Sequence, residues 1–207
     1  MNHFTKKIVS AMMLAAIMIG VSARNLNAQT FKLIPDKDVS IKVLGSSNVH
    51  DWTLTSTVME SQGDFKIEEN QLRSITAFTF SVNAKSLKSE HESMDGRTYK
   101  TMKADQYPKV TYKLTTALIT AAAKNKYQVK ATGDLTIAGV TQSIVMYITA
   151  GVNPDNTITI TGSENLKLTD YKIEPPSFML GAMKVKNDLT IQFNLTYKNN
   201  QLLTKSL

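Results

Sequence analysis

Apolar and polar residues alternate along most of this chain, most clearly from Gly133 to Ile148, GDLTIAGVTQSIVMYI. Gly133, Leu135 and Ile137 alternate with Asp134 and Thr136, the period-two signature of a half-buried strand. Ala138-Gly139 supplies a turn in which glycine can take positive φ. Val140 and Thr141 then restart extended geometry, with Ile144, Met146 and Ile148 on one side. The stretch predicts an antiparallel hairpin with one apolar face.

The same alternation recurs upstream and downstream. Val39, Ile41 and Val43 form one run; Trp52, Leu54 and Val58 oppose Thr53, Thr55 and Thr57 in the next, which Phe65 and Ile67 carry on. Leu72, Phe78, Phe80 and Val82 alternate with Arg73, Thr79 and Ser81, and Val110, Tyr112 and Leu114 follow Pro108. Tyr127, Val129 and Ala131 lead into the hairpin, Ile158, Ile160, Leu166 and Leu168 follow it, and Leu189, Ile191, Phe193, Leu195 and Tyr197 close the series. Runs of this length separated by short polar turns predict an all-β fold of about eight strands. Joining the first strand to the last removes the edges at which strands aggregate.

Two segments break the rhythm. Lys88 to Lys103, KSEHESMDGRTYKTMK, lacks alternation, and Ser89 followed by Glu92 spells a capping box, which predicts a short helix. Tyr171 to Lys186, with Pro175-Pro176, Phe178, Met179, Leu180 and Met183, is apolar for a loop. It reads either as a plug of ordinary core at one end of the sheet or as a thioether-rich flap over an apolar ligand.

Lys6 and Lys7 precede the apolar run Ile8 to Val21, and small residues follow at Ala23 and Ala28, the layout of a secretory signal peptide. The run is short for a membrane span. Cleavage after Ala28, preferred over Ala23, removes residues 1–28 and leaves 179 of 207 residues as one domain of ordinary size, 29–207, in the periplasm or outside the cell. The formal charge falls from +7 to +4, because Lys6, Lys7 and Arg24 leave with the segment and no acid does. Lys42, Lys66, Lys113, Lys130 and Lys198 sit at alternating positions and form no run suited to a phosphate backbone, which argues against nucleic acid as partner. The absence of cysteine excludes disulfides and thiol chemistry.

Catalytic signatures are sparse. Beyond the leader only His50 and His91 remain, so a three-histidine metal site is excluded, and no Gly-x-Ser-x-Gly, His-Glu-x-x-His or phosphate-binding glycine loop occurs. His50 and Asp51 are neighbours and on an extended chain point to opposite faces, wrong for a base and its orienting acid. His50 is expected to cap a turn or meet a polar partner. A hydrolase or isomerase built on His50, Asp51 and Asp95 is the weaker reading, and no metal, cofactor or catalytic residue is assigned.

Three pieces of the chain resemble the YceI-like lipid/polyisoprenoid-binding family: the hairpin GDLTIAGVT of Gly133 to Thr141, the strand entry DQYPKVTY of Asp105 to Tyr112, and Val49-His50 ahead of Gly63-Asp64-Phe65. Met94-Asp95 stands where the family commonly has Arg-Asp, and His50 runs on into Asp-Trp-Thr, the marks of a variant subgroup. The resemblance implies an eight-stranded antiparallel lipocalin-like barrel whose apolar tunnel takes an isoprenoid chain, as a polyprenyl lipid or an isoprenoid quinone. Trp52, Leu54, Phe78, Phe80, Tyr112, Leu135, Met146, Ile148, Phe178, Met183 and Phe193 are then the candidate lipid-binding residues. The competing class is a non-catalytic stress or interaction protein whose barrel is filled by its own side chains. The oligomeric state, monomer or homodimer, stays open.

Overall fold

The structure is a computed structural model and describes residues 28–200; the leader expected at the N terminus lies outside them, apart from Ala28. Eleven strands form: β1 Gln29–Leu33, β2 Ser40–Ser47, β3 Asp51–Ser56, β4 Met59–Glu68, β5 Gln71–Asn83, β6 Lys109–Ala123, β7 Lys126–Ile137, β8 Val140–Val152, β9 Ile158–Lys167, β10 Ser177–Phe178 and β11 Met183–Asn199. Among the described residues one α-helix, α1 (Glu92–Thr101), interrupts them. Among the described residues no helix is long and apolar enough to cross a membrane.

Eight of the strands close a ring in the order β1-β4-β5-β6-β7-β8-β9-β11, every pairing antiparallel, with β1 and β11 joined at Phe31↔Asn199, Lys32↔Lys198 and Leu33↔Tyr197. Strand lengths run from five residues in β1 to seventeen in β11, so the ring is not evenly round and is lipocalin-like only in outline. One edge of β11 is shared: its C-terminal end pairs β1, and Val185 to Asn194 pair β2. The β2–β3 hairpin thus extends the wall where the short β1 runs out. The far side of β3 makes one bridge, Thr55 with Lys88, and α1 follows it in the chain.

The β7–β8 hairpin forms as expected, with Ile137 paired to Val140 across Ala138 (φ 49°) and Gly139 (φ 78°). Two successive positive φ values match the twist of the flanking strands. The ring of Tyr107 lies against Gly139, where an added Cβ would fall 2.4 Å from it. That contact ties the two sequence pieces GDLTIAGVT and DQYPKVTY together in space.

Two expectations are corrected. Val58, placed on the apolar face with Trp52 and Leu54, is 68% exposed, because β3 ends at Ser56 and the chain turns before β4 starts at Met59. The Ser89–Glu92 capping box does not form: His91 is the N-cap residue and no side chain caps it. The Ser89 hydroxyl donates instead to Asp95 Oδ1 (2.8 Å) and the Ser89 N–H to the same oxygen (2.7 Å).

One end of the barrel is closed by aromatic rings. Phe31, Phe65, Phe78, Tyr112 and Tyr197 are all buried and contact one another at centroid separations from 5.3 to 6.4 Å, mostly edge to face. Such pairs favour order as well as burial. The Tyr197 hydroxyl is 2.8 Å from Ser61 Oγ.

Candidate functional site

Beyond the aromatic plug the barrel is hollow. A cavity of about 90 Å³ lies inside β5 to β9 and β11, and a larger one of about 240 Å³ lies between β2, β3, α1 and the segment after β9. Ile41, Val110, Leu166 and Ile191 line both, so the two spaces adjoin across four aliphatic side chains. Period-two alternation makes the inner one, since Tyr127, Val129, Ala131 and Leu135 on β7 point inward and are buried while Lys126, Gln128, Lys130 and Asp134 face water.

Phe78, Phe80, Tyr112, Leu135, Met146, Ile148 and Phe193 line the inner cavity; Trp52, Leu54, Phe178 and Met183 line the outer one. The helix contributes Ser93, Met94, Arg97, Thr98 and Thr101 to the outer wall, and Met102 follows at its C-cap, so α1 forms part of the mouth. His50, His91, Arg97 and Lys167 line it too, and among the described residues no carboxylate side chain does. The guanidinium of Arg97 stacks 4.8 Å from the Phe178 ring centroid.

The residues between Tyr171 and Lys186 divide between both readings. Tyr171 and Ile173 are buried and line the outer cavity together with the half-buried Phe178 and Met183, whereas Met179 and Leu180 face outward.

Sequence reasoning missed Glu164. It occupies an inward slot on β9 opposite Ile191, lines the inner cavity, and has its carboxyl pKa pushed up by burial. Burial first, then the charge of Asp170 and lastly that of Glu164, raise the Tyr171 hydroxyl to about 12. Burial first and Asp134 second likewise raise Tyr112 to about 12. Trp52 Nε1 and the Tyr112 and Tyr171 hydroxyls are buried without a hydrogen-bond partner among the described residues. All three residues line the cavities.

The candidates for acid–base chemistry are not brought together. His50 Nδ1 sits 2.9 Å from the Asp51 carbonyl oxygen, its backbone N–H donates to Ser47 Oγ (3.1 Å), and no hydrogen bond joins the side chains of His50, Asp51 and Asp95 to one another. Asp95 is the buried residue of α1, where it accepts from Ser89 and pairs with Lys88 Nζ at 3.3 Å. Among the described residues no cluster of three metal-ligating side chains occurs.

Burial alone would raise the Asp95 carboxyl, but the two Ser89 hydrogen bonds and the Lys88 ammonium together outweigh it and hold the pKa below the usual carboxylate range. A depressed folded-state pKa stabilises the fold above the unfolded value and is lost as pH falls through the folded one. Asp95→Ala is therefore expected to cost about 1 to 3 kcal/mol near neutrality, since it strands the Ser89 donors. Urea midpoints measured at descending pH should show the gap to the parent shrinking below about pH 4. A gap that grew on acidification would contradict this role.

The sequence model of the YceI-like domain matches residues 36–197. The chain belongs to the YceI-like family. Solved structures share its fold at low identity. BcnA of Burkholderia cenocepacia is 17% identical, covers 76% of this chain and 94% of its own, and superposes with a TM-score of 0.61. A polyisoprenoid binding domain from Saccharophagus degradans, implicated in plant cell wall breakdown, is 15% identical over 83% of this chain and 99% of its own, with a TM-score of 0.63. No curated protein matches the chain. The YceI-like ring of eight strands, with its helix at the mouth, is therefore the frame in which the two cavities sit.

Proposed function

We propose that this YceI-like chain is a non-catalytic carrier that holds an apolar lipid, a polyprenyl chain or an isoprenoid quinone, and transports or sequesters it outside the cytoplasm. The observation that carries this reading is the pair of cavities adjoining across Ile41, Val110, Leu166 and Ile191. Apart from Glu164 and the Tyr112 hydroxyl, every side chain lining the inner one is hydrocarbon or thioether. At about 24 cal/mol per Å³, leaving the apolar inner space dry and vacant costs about 2 kcal/mol. A hydrocarbon chain turns that cost into a gain of about 0.8 kcal/mol per buried methylene.

The outer cavity suits the polar end of the same lipid. Among the described residues Trp52 Nε1–H and the Tyr171 hydroxyl are unpartnered donors there, fit for a carbonyl or hydroxyl oxygen. The structure of a polyisoprenoid binding domain on the same fold agrees with this choice of ligand class.

Native mass spectrometry of protein purified without detergent is the test. The expected spectrum shows a retained hydrophobic mass that organic solvent removes, on a chain shortened by residues 1–28 and recovered from outside the cytoplasm. A spectrum of bare chain at every purification step favours the filled-barrel protein and overturns the carrier.

A further inference from the structure

At the mouth of the outer cavity the chain exposes what a water-soluble surface ordinarily hides. Met179 is 72% exposed, Leu180 is fully exposed, and Val49 is 60% exposed. The two tips are joined: Asn48 Nδ2 donates to the Ala182 carbonyl (2.9 Å), and Asn48 exchanges two further bonds with Lys184, its side-chain oxygen accepting from the Lys184 N–H (2.7 Å) and its own N–H donating to the Lys184 carbonyl (3.1 Å). The Val49 turn and the Met179–Leu180 tip therefore form one apolar edge.

The backbone holds that edge outward against its own preference. Met179 (φ 54°) and Leu180 (φ 56°) both occupy the left-handed region, which bulky residues rarely adopt, and Gly181 (φ 94°) follows. The arrangement is anchored by β10 pairing with β11 at Phe178↔Met183 and by the Val185 N–H donating to the Pro176 carbonyl (3.0 Å). The residues at the base of the tip, Phe178 and Met183, line the cavity, so the exposed edge and the lipid path are continuous.

Cations stand nearest the edge: Lys184, whose backbone bonds Asn48, and Lys186 are exposed on β11 beside the tip, and Lys172 is exposed further back, while the exposed carboxylates Asp51, Asp170, Glu174 and Asp188 lie around them. Arg97 and Lys167 add two cations on the cavity rim. An apolar tip with a collar of lysines, Lys184 and Lys186, at its base complements one surface in particular, a bilayer with anionic headgroups, where the tip enters the acyl boundary and the lysines stay with the phosphates.

We infer that the Val49 and Met179–Leu180 edge is a membrane-docking surface, which seats the mouth of the barrel on an anionic lipid bilayer so that lipid passes between bilayer and cavity. This rests on the carrier reading, and the test separates the two. The protein and its Met179→Asp/Leu180→Asp variant are sedimented with vesicles of phosphatidylcholine alone or mixed with phosphatidylglycerol, while retained lipid is read by native mass spectrometry. Parent and variant carry the same N terminus, so any contribution from residues 1–27 cancels. The parent is expected to bind the phosphatidylglycerol vesicles best, to weaken as salt screens the collar, and to lose about tenfold or more in affinity in the variant, which still keeps lipid acquired during expression. Equal vesicle binding by both proteins overturns the docking surface, as does a variant whose only change is loss of self-association in sedimentation velocity. Failure of the parent to retain lipid overturns the carrier reading whatever the vesicles show.

Discussion

Tryptophan in place of Ala131 is expected to expel lipid from the barrel while leaving the barrel folded. Ala131 points inward from β7, is 3% exposed, and lines the inner cavity beside its cross-strand partners Ala117 on β6 and Met146 on β8. An indole built there projects into the space of about 90 Å³, and Met146 is flexible enough to make room for the ring edge. The overpacking cost is about 1 to 3 kcal/mol. Loss of room for two or three methylenes removes about 2 kcal/mol of lipid binding, more than tenfold in affinity. Titration of a fluorescent polyprenyl probe, beside a urea midpoint, checks both halves. Undiminished probe binding in a folded Ala131→Trp protein would show that the chain does not lie along this wall.

Gly133, two residues further on, behaves differently. A Cβ there falls 2.5 Å from the Lys113 carbonyl oxygen and 2.5 Å from the Tyr112 hydroxyl, so any side chain disrupts the β6–β7 wall before it obstructs the cavity. Tyr112 lies across the glycine, and its ring takes the space a side chain would have filled.

How much of this was readable in the chain depended on how much slack each stretch allowed. The β7–β8 hairpin was legible because a two-residue turn fixes register, and a slip of one residue would have turned Leu135, Met146 and Ile148 to water. Strand β5 was only partly legible. Ile75 is core yet sits out of step with Leu72 and Phe78, because register shifts around Gln62–Asp64 and Lys66–Ile67 on β4, with Ala77 at φ 49°, reverse the parity along β5. Bulges leave no local mark in an alternation of residue types. Glu164 was concealed by the opposite error, since a charged residue in an apolar run is read as the outer face. Its even spacing from Ile160 and Leu166 carried the signal that it faces inward. Leu180 illustrates the limit of composition, for its apolarity suggested core whereas successive left-handed residues aim it at solvent.

The deepest loss of stability is expected at the closed end of the barrel, and comparison with the hollow end identifies which aromatic residues are core. Phe65 is completely buried and touches Phe31, Phe78 and Tyr197, with centroids 5.3, 6.4 and 5.7 Å away. Phe65→Ala leaves a void enclosed by rings that β1, β4, β5 and β11 hold in place, so it should cost about 3 to 5 kcal/mol. Phe80 is also inward on β5 but lines the inner cavity, where one side of its ring meets space that the proposed lipid fills. Phe80→Ala only enlarges an existing hollow and should cost about 1 to 2 kcal/mol, below the range for a fully packed phenylalanine. It should instead weaken the polyprenyl probe or shift preference toward a bulkier chain. Urea unfolding of both variants with and without bound lipid reads the contrast, because lipid stabilises only the state that binds it. Equal destabilisation of the two, unaltered by lipid, would make Phe80 ordinary core and the barrel a filled one.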